Sequence, residues 1–226
     1  MRYSTRCLSL LFLHIILIFS SCYKSSTINN NPKLKNDFQV IDSLMIAGNS
    51  DTAKKMLDAT RGKLDKSNPL IVYYYRMKAD GYYHNRPLMI RYADSAIAFF
   101  NNNNLAEKYP DAYLQALIIK GDISMVLKQY NLALRYYAKG KLLLSDGSCD
   151  DGILDTKIAG IYYSQKNYLL AAQYWKLDYQ RLGACTTRTQ QKLFYLRQAA
   201  LNSIGVAYER AGITDSAAYY YKRIWH

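Results

Sequence analysis

The apolar and polar residues of the chain follow a helical period through most of its length. Five short segments share one pattern, in which an alanine precedes large apolar or aromatic residues three and four places later. The segments are Asp51–Leu57, Asp94–Phe100, Asn131–Tyr137, Leu169–Trp175 and Asp215–Tyr221. Because residues three and four places apart share one face of a helix, each segment predicts a helix that presents one small and two bulky residues to a neighbour.

Small residues also recur before these segments. Gly121, Ala159 and Gly205 each lie twelve residues before the alanine of the segment that follows. A small residue lets another helix approach closely, and the bulky pair fills the groove beside it. The pattern therefore predicts a helix–turn–helix unit that occurs about five times, rather than an irregular helical bundle.

Three of these units carry a known signature. Residues 117–139, 155–177 and 201–223 resemble tetratricopeptide repeats, which are helix–turn–helix units with small, aromatic and alanine positions at these offsets. The resemblance extends over nearly all of residues 37–226. It implies an all-α fold in which about five units stack into a right-handed superhelical array.

The other two units match this signature less well. The first unit, residues 38–58, is a fair match. The second unit, residues 71–100, fits least well, because Ala93, Ala96 or Met89 could hold the alanine position. Its register stays open on the sequence alone.

The N-terminus has the three zones of a secretory signal. Two arginines precede an apolar stretch, Leu8–Phe19, and two serines then precede Cys22. The apolar stretch is shorter than the roughly 20 residues that a membrane-spanning helix needs. The arrangement resembles the lipobox of bacterial lipoproteins, which implies removal of residues 1–21 and attachment of fatty acyl chains such as palmitate at Cys22. The alternatives are cleavage near Ser21 without a lipid and an uncleaved signal anchor.

The residues after Cys22 predict a tether and a location. Residues 22–36 are polar, contain a proline and lack periodicity, which is typical of a flexible linker between a membrane and a domain. Surface-displayed lipoproteins of the Bacteroidetes type often carry acidic residues directly after the acylated cysteine, and this chain has none there. We therefore expect a lipid-anchored protein of the cell envelope that faces the periplasm.

The formal net charge of +13 suits either nucleic acid or an anionic membrane. The lysines and arginines are scattered along the chain rather than gathered into one run. An exported protein would also meet no cellular DNA. The charge therefore favours a membrane surface, and we predict no nucleic-acid partner.

The sequence contains no recognisable catalytic constellation. Outside the signal and the last position, His84 is the only histidine, and one histidine makes neither a zinc site nor a catalytic triad. Residues 146–157 are rich in oxygen ligands, but Asp151 stands where a calcium-binding EF-hand loop needs glycine. A glycine-rich phosphate loop is missing as well. We therefore predict that the protein is not an enzyme and has no metal or cofactor apart from the lipid at Cys22.

Two cysteines remain in the predicted repeat domain. Cys149 and Cys185 lie 36 residues apart, each in a connection after a second helix. A disulfide is permitted in an exported protein, although neighbouring repeats stack roughly 10 Å apart, beyond the reach of a disulfide without movement of the loops. A Cys149–Cys185 bond and two free thiols both stay open.

The first helices of stacked units are expected to line the concave side of the array. Projection of the small positions onto that side selects five candidates for a partner-binding groove. They are Gln115, Asp122, Tyr163, Asn202 and Glu209. The predicted function is a membrane-anchored scaffold that binds a protein or peptide partner.

An alternative function and a further partner follow from the same repeats. Their style resembles the sensor halves of Bacteroidetes regulators, so the chain could be the periplasmic sensory portion of a histidine kinase or transcriptional regulator. The sequence shows no polar capping helix after the last unit, which would leave Tyr220 and Tyr221 partly bare. This predicts self-association through the uncapped C-terminal repeat.

Overall fold

The computed structural model describes residues 31–65, 67–81, 84–144, 149–186 and 189–224. These residues form ten helices and no strand, which confirms the predicted all-α class. The helices are α1 (Pro32–Ile46), α2 (Ser50–Gly62), α3 (Ile71–Gly81), α4 (Arg86–Asn102), α5 (Pro110–Val126), α6 (Tyr130–Lys141), α7 (Cys149–Ser164), α8 (Tyr168–Ala184), α9 (Gln190–Arg210) and α10 (Thr214–Lys222).

The helices pair into five hairpins with a nearly constant period. The first helices of the first four hairpins begin at residues 32, 71, 110 and 149, which are 39 residues apart. The fifth hairpin begins 41 residues later, at residue 190. Each helix packs on its neighbours in the chain, and α1, α3, α5 and α7 also pack side by side. The hairpins therefore form a linear array in which contacts are made mainly between neighbours.

Four of the five hairpins use the same three-residue turn. The middle residue of each turn has a left-handed backbone, with φ between 58° and 81° at Gly48, Lys128, Lys166 and Gly212. The next residue donates its backbone N–H to a carbonyl five residues back, as from Gln129 to Ser124 at 2.8 Å. This Schellman arrangement satisfies carbonyl groups at the end of the first helix and sets the entry of the second.

Backbone hydrogen bonds identify the alanine position of every second helix. In four hairpins the alanine N–H bonds to the carbonyl of the residue before the helix, at Ala53, Ala133, Ala171 and Ala217. In α4 the same bond runs from Met89 to Asn85 at 3.0 Å. Met89 therefore takes the alanine position of the second unit, and the segment around Ala96 lies about two turns later. The sequence pattern was ambiguous because small and aromatic residues recur at helical spacing from Tyr92 to Phe100.

The small residues of the first helices lie directly against aromatic rings of the second helices. A Cβ atom on Gly121 would lie less than 3 Å from the Tyr137 ring, and one on Gly205 equally close to the Tyr221 ring. Real Cβ atoms do not approach other atoms so closely, so glycine is required for this packing. The close approach predicted from the small positions is therefore confirmed in these two hairpins.

An ion network joins the third and fourth hairpins. Asp155 of α7 is fully buried. Its carboxylate contacts the ammonium group of Lys141 in α6 at 2.6 Å and the guanidinium group of Arg181 in α8. A buried carboxylate is tolerated only when it is paired, so these three residues depend on one another.

The N-terminal boundary of the domain differs from the prediction. Helix α1 begins at Pro32, and the Asn31 side chain accepts a hydrogen bond from the Leu34 N–H at 3.2 Å. Asparagine before a proline at the first helical position favours a helix start, so the predicted tether of residues 22–36 extends too far. The predicted signal and Cys22 lie outside the described residues. Among the helices that are described, none combines the length and apolarity needed to cross a membrane.

Candidate partner-binding surface

Charged side chains lie in a row across the first helices of four hairpins. We call this set the charged row; it consists of Asp42 in α1, Arg76 and Asp80 in α3, Asp122 in α5 and Lys157 in α7. Arg76 donates a hydrogen bond to Asp42 at 3.1 Å. Lys157 donates to both carboxylate oxygens of Asp122, at 2.7 and 2.8 Å. The row forms because these helices pack side by side, which aligns one or two charged residues from each.

Asp122 links the row to the interior of the third hairpin. Besides Lys157, its carboxylate accepts a hydrogen bond from the buried Tyr137 hydroxyl at 2.6 Å. Desolvation raises the pKa of Tyr137, and the Asp122 carboxylate raises it further, so the phenol stays a donor. Asp122 is thereby held in place while 41% of its side chain remains exposed. An oriented and accessible carboxylate suits recognition of a cation on a partner.

Asp80 occupies the middle of the row and differs from the other carboxylates. In the described part of the chain, no lysine or arginine nitrogen lies within 4 Å of its carboxyl oxygens. Desolvation raises the pKa of Asp80 above 3.8; Arg76 opposes this rise, and the Asp122 and Asp42 carboxylates add to it. The ionised Asp80 is therefore less favourable in the fold than in water.

A cleft lies directly beside Asp80. It has a volume of about 450 Å³ and is walled by residues of α1, α2 and α3. Its polar lining includes Asp51, Lys54 and Lys78 besides Asp80, and Met45, Leu57 and Met77 supply apolar surface. A cleft of this size and mixed lining can accommodate a long side chain, so the charged row continues into a space that a partner could enter.

The five groove residues predicted from the sequence lie on three first helices, α5, α7 and α9. Asp122 belongs to the charged row, and the half-buried Gln115 lies on the same helix two turns earlier. Tyr163 of α7 packs against Trp175, with ring centres 5.7 Å apart. Glu209 accepts a hydrogen bond from the Tyr221 hydroxyl at 2.6 Å. Tyr163 lies close enough to contribute to the raised pKa of Tyr221. Of these predicted residues, only Asp122 belongs to the charged row.

Asn202 is exposed on α9, two turns before Glu209. The sequence reasoning also missed Asp42, Arg76, Asp80 and Lys157. Arg76 and Asp80 are four residues apart and share a helix face, which was a usable signal. Lys157 carried no such signal, because its contact with Asp122 joins residues that are 35 positions apart.

Cys185 is one of the two cysteines of the repeat domain whose bonding the sequence left open. Cys185 is buried at the end of α8 and is disulfide-bonded, so the alternative of two free thiols does not hold at this residue. Its pairing with Cys149, at the start of α7, stays a prediction.

Among the described residues, no group of three or more His, Cys, Asp or Glu side chains is placed to hold a metal ion.

Comparisons with other proteins do not assign the chain to a family. No model of a known protein family matches the sequence, and no curated protein matches it significantly. The surface chemistry described above is therefore the main basis for a functional proposal.

Proposed function

We propose that the chain is a membrane-anchored scaffold of tetratricopeptide-like repeats that binds a protein or peptide partner through the charged row. The partner is held by side-chain complementarity, without bond chemistry. Lipid at Cys22 keeps the scaffold in the cell envelope on the periplasmic side. The side-by-side packing of the first helices supports this proposal, because it makes one continuous surface from four hairpins.

Asp80 is the observation that carries the proposal. Asp80 is exposed to a partner and lies near two other carboxylates, but it has no ion-pair partner among the described residues. A lysine or arginine of a partner would remove this unfavourable balance on binding. The row has three carboxylates and two cations, so a basic peptide segment fits it best.

The binding proposal can be tested with defined peptides. Peptides are selected from a random display library on the lipidated protein held in detergent, and their affinities are measured by calorimetry. We expect the selected peptides to contain lysine or arginine, and Asp80→Asn to weaken them by about tenfold through loss of one charge-assisted contact. Asp215→Asn on α10, away from the row, serves as the matched control. Peptides that bind equally well to Asp80→Asn would refute the role of the row.

The anchor is tested separately by intact mass. We expect protein extracted from membranes to have the mass of residues 22–226 plus two or three acyl chains. A mass without lipid would make the chain an exported scaffold that is not anchored. A much larger product that carries this sequence would favour the sensory portion of a regulator instead.

A further inference from the structure

Two guanidinium groups converge on one tyrosine where the fourth and fifth hairpins meet. The guanidinium of Arg197 in α9 lies 5.0 Å from the centre of the Tyr179 ring in α8, and that of Arg223 lies 5.4 Å from it. Both arginines donate to the Tyr179 hydroxyl, at 3.1 and 3.3 Å. Two like charges are therefore held close together by a single neutral group.

Among the described residues, no acidic group neutralises the two arginines. Within the described ranges, no carboxylate oxygen lies within 4 Å of either guanidinium. Arg223 makes its other hydrogen bond to the Tyr219 hydroxyl, at 3.3 Å, which is again a neutral acceptor. Each guanidinium has five N–H donors in a planar fork, so most of its donors remain for another group.

The arginine pair lines a cavity of about 330 Å³. Gln190 and Gln198 add uncharged donors to its lining, and Leu182 and Leu193 supply apolar surface. Phe194, also in the wall, is 58% exposed. Cationic forks, amide donors and one accessible aromatic ring within one concave space are the features of a site for an anion that carries an apolar body.

We propose that this cavity, the arginine pocket, binds a small carboxylic acid that carries an aromatic or aliphatic group. The two guanidinium forks hold the carboxylate oxygens, and the apolar body lies against Phe194. The pocket is formed by α8, α9 and the residue after α10, whereas the charged row lies on α1 to α7. The two sites are therefore independent, and either can fail without the other.

N-acetylphenylalanine is the probe for this pocket, and its neutral amide, N-acetylphenylalaninamide, is the matched control ligand. Binding to the lipidated full chain in detergent is followed by ¹H–¹⁵N NMR. We expect saturable shifts at residues of α9 with the acid and none with the amide. Arg197→Gln and Arg223→Gln should each weaken binding by about tenfold or more, because each removes a charge-assisted fork. Arg210→Gln, which removes an exposed arginine from the same helix, should leave the affinity unchanged.

Further variants separate binding from a purely structural role of the arginines. Arg197→Lys keeps the charge but not the fork, so affinity should fall while the thermal midpoint stays within a degree or two of the wild type. Loss of affinity that only follows loss of folded protein would overturn the proposal. Equal binding of the acid and the amide would overturn it as well. Tighter binding of phenyl phosphate than of the acid, by tenfold or more, would assign the pocket to phosphate groups and reject the carboxylate.

Discussion

The third and fifth hairpins contain the same arrangement of a glycine, a tyrosine and an acidic residue, but it is buried in one hairpin and partly exposed in the other. In both, a glycine of the first helix lies under a tyrosine ring of the second, and that tyrosine donates its hydroxyl to an acidic residue at 2.6 Å. In the third hairpin Tyr137 is fully buried, and Lys157 of the next hairpin binds the acid. In the fifth hairpin Tyr221 is only half-buried, and Glu209 is exposed.

The difference shows which features belong to one hairpin and which belong to the array. The glycine, the tyrosine and the acidic residue are at most 16 positions apart, so a single hairpin forms this arrangement. Burial of the ring and pairing of the acid depend on what packs beside the hairpin. The same local motif can therefore be a rigid part of the core in one repeat and an accessible surface group in another.

Replacement of the two glycines should produce the largest difference in stability between the third and fifth hairpins. We expect Gly121→Ala to lower the free energy of unfolding by about 3 kcal/mol, because the buried Tyr137 ring has no space in which to move. The half-buried Tyr221 ring can shift, so Gly205→Ala should cost only about 1 kcal/mol. Urea unfolding followed by circular dichroism measures both. Equal losses would show that burial of the ring does not decide the cost.

Removal of the two tyrosine hydroxyls tests the hydrogen bonds from Tyr137 to Asp122 and from Tyr221 to Glu209. Tyr137→Phe breaks a buried hydrogen bond to a carboxylate and should cost about 1.5 kcal/mol. Tyr221→Phe breaks an exposed bond and should cost about 0.5 kcal/mol or less. The hydrogen bond to Glu209 raises the pKa of Tyr221 to about 12, so an ultraviolet titration should show this tyrosine ionising late. A Glu209→Gln variant that leaves the titration unchanged would contradict this assignment.

The turns of the same two hairpins offer a smaller test with opposite signs. Lys128 and Gly212 both have a left-handed backbone, which an L-residue adopts at a cost. We expect Gly212→Ala to destabilise the protein by about 1 kcal/mol and Lys128→Gly to stabilise it by about 0.5 kcal/mol. Thermal unfolding of the two single variants checks the signs. Destabilisation by Lys128→Gly would mean that the lysine side chain makes a contact that outweighs its backbone strain.

Asp80 of the charged row should make the stability of the protein depend on pH. Its pKa in the folded protein is raised above 3.8, so the folded state binds this proton more tightly than the unfolded chain does. Ionised Asp80 therefore reduces stability at neutral pH, and the reduction disappears as pH falls through the folded pKa. We expect Asp80→Asn to raise the unfolding midpoint at pH 7 and to have little effect below about pH 3.8.

Asp111→Asn is the control for this pH experiment. Asp111 lies in the first turn of α5, where a carboxylate stabilises the helix, so its loss should lower the midpoint slightly at pH 7. Opposite signs for the two variants would locate the unfavourable charge at Asp80. A midpoint lowered by both variants would show that Asp80 is stabilising and would remove the main support for the binding proposal.

Much of the fold was accessible from short-range patterns in the sequence. Alanine and aromatic spacing predicted a helix at all five second-helix positions, with the alanine in register in four of them, and Gly121 and Gly205 predicted close helix packing. The sequence-based prediction failed at two places. In one, several residues fitted the same repeat position; in the other, the start of a helix was taken for a linker. Along α4 several residues fit the alanine position, and Asn31 and Pro32 were assigned to a tether although they start a helix. The candidate site was predicted less well, with Asp122 its only residue found in the charged row.

Local residue patterns specify the helical hairpins, because helix periodicity, left-handed glycines and glycine–tyrosine packing act within about one hairpin length. Which charged side chains meet depends instead on contacts between hairpins. Arg76 reaches Asp42 across 34 residues, Lys157 reaches Asp122 across 35, and Arg223 reaches Tyr179 across 44. These pairings depend on how one hairpin stacks on the next, and that geometry arises from the packing of whole helix faces. Both proposed binding sites lie at such junctions, because side chains from separate hairpins come together only there.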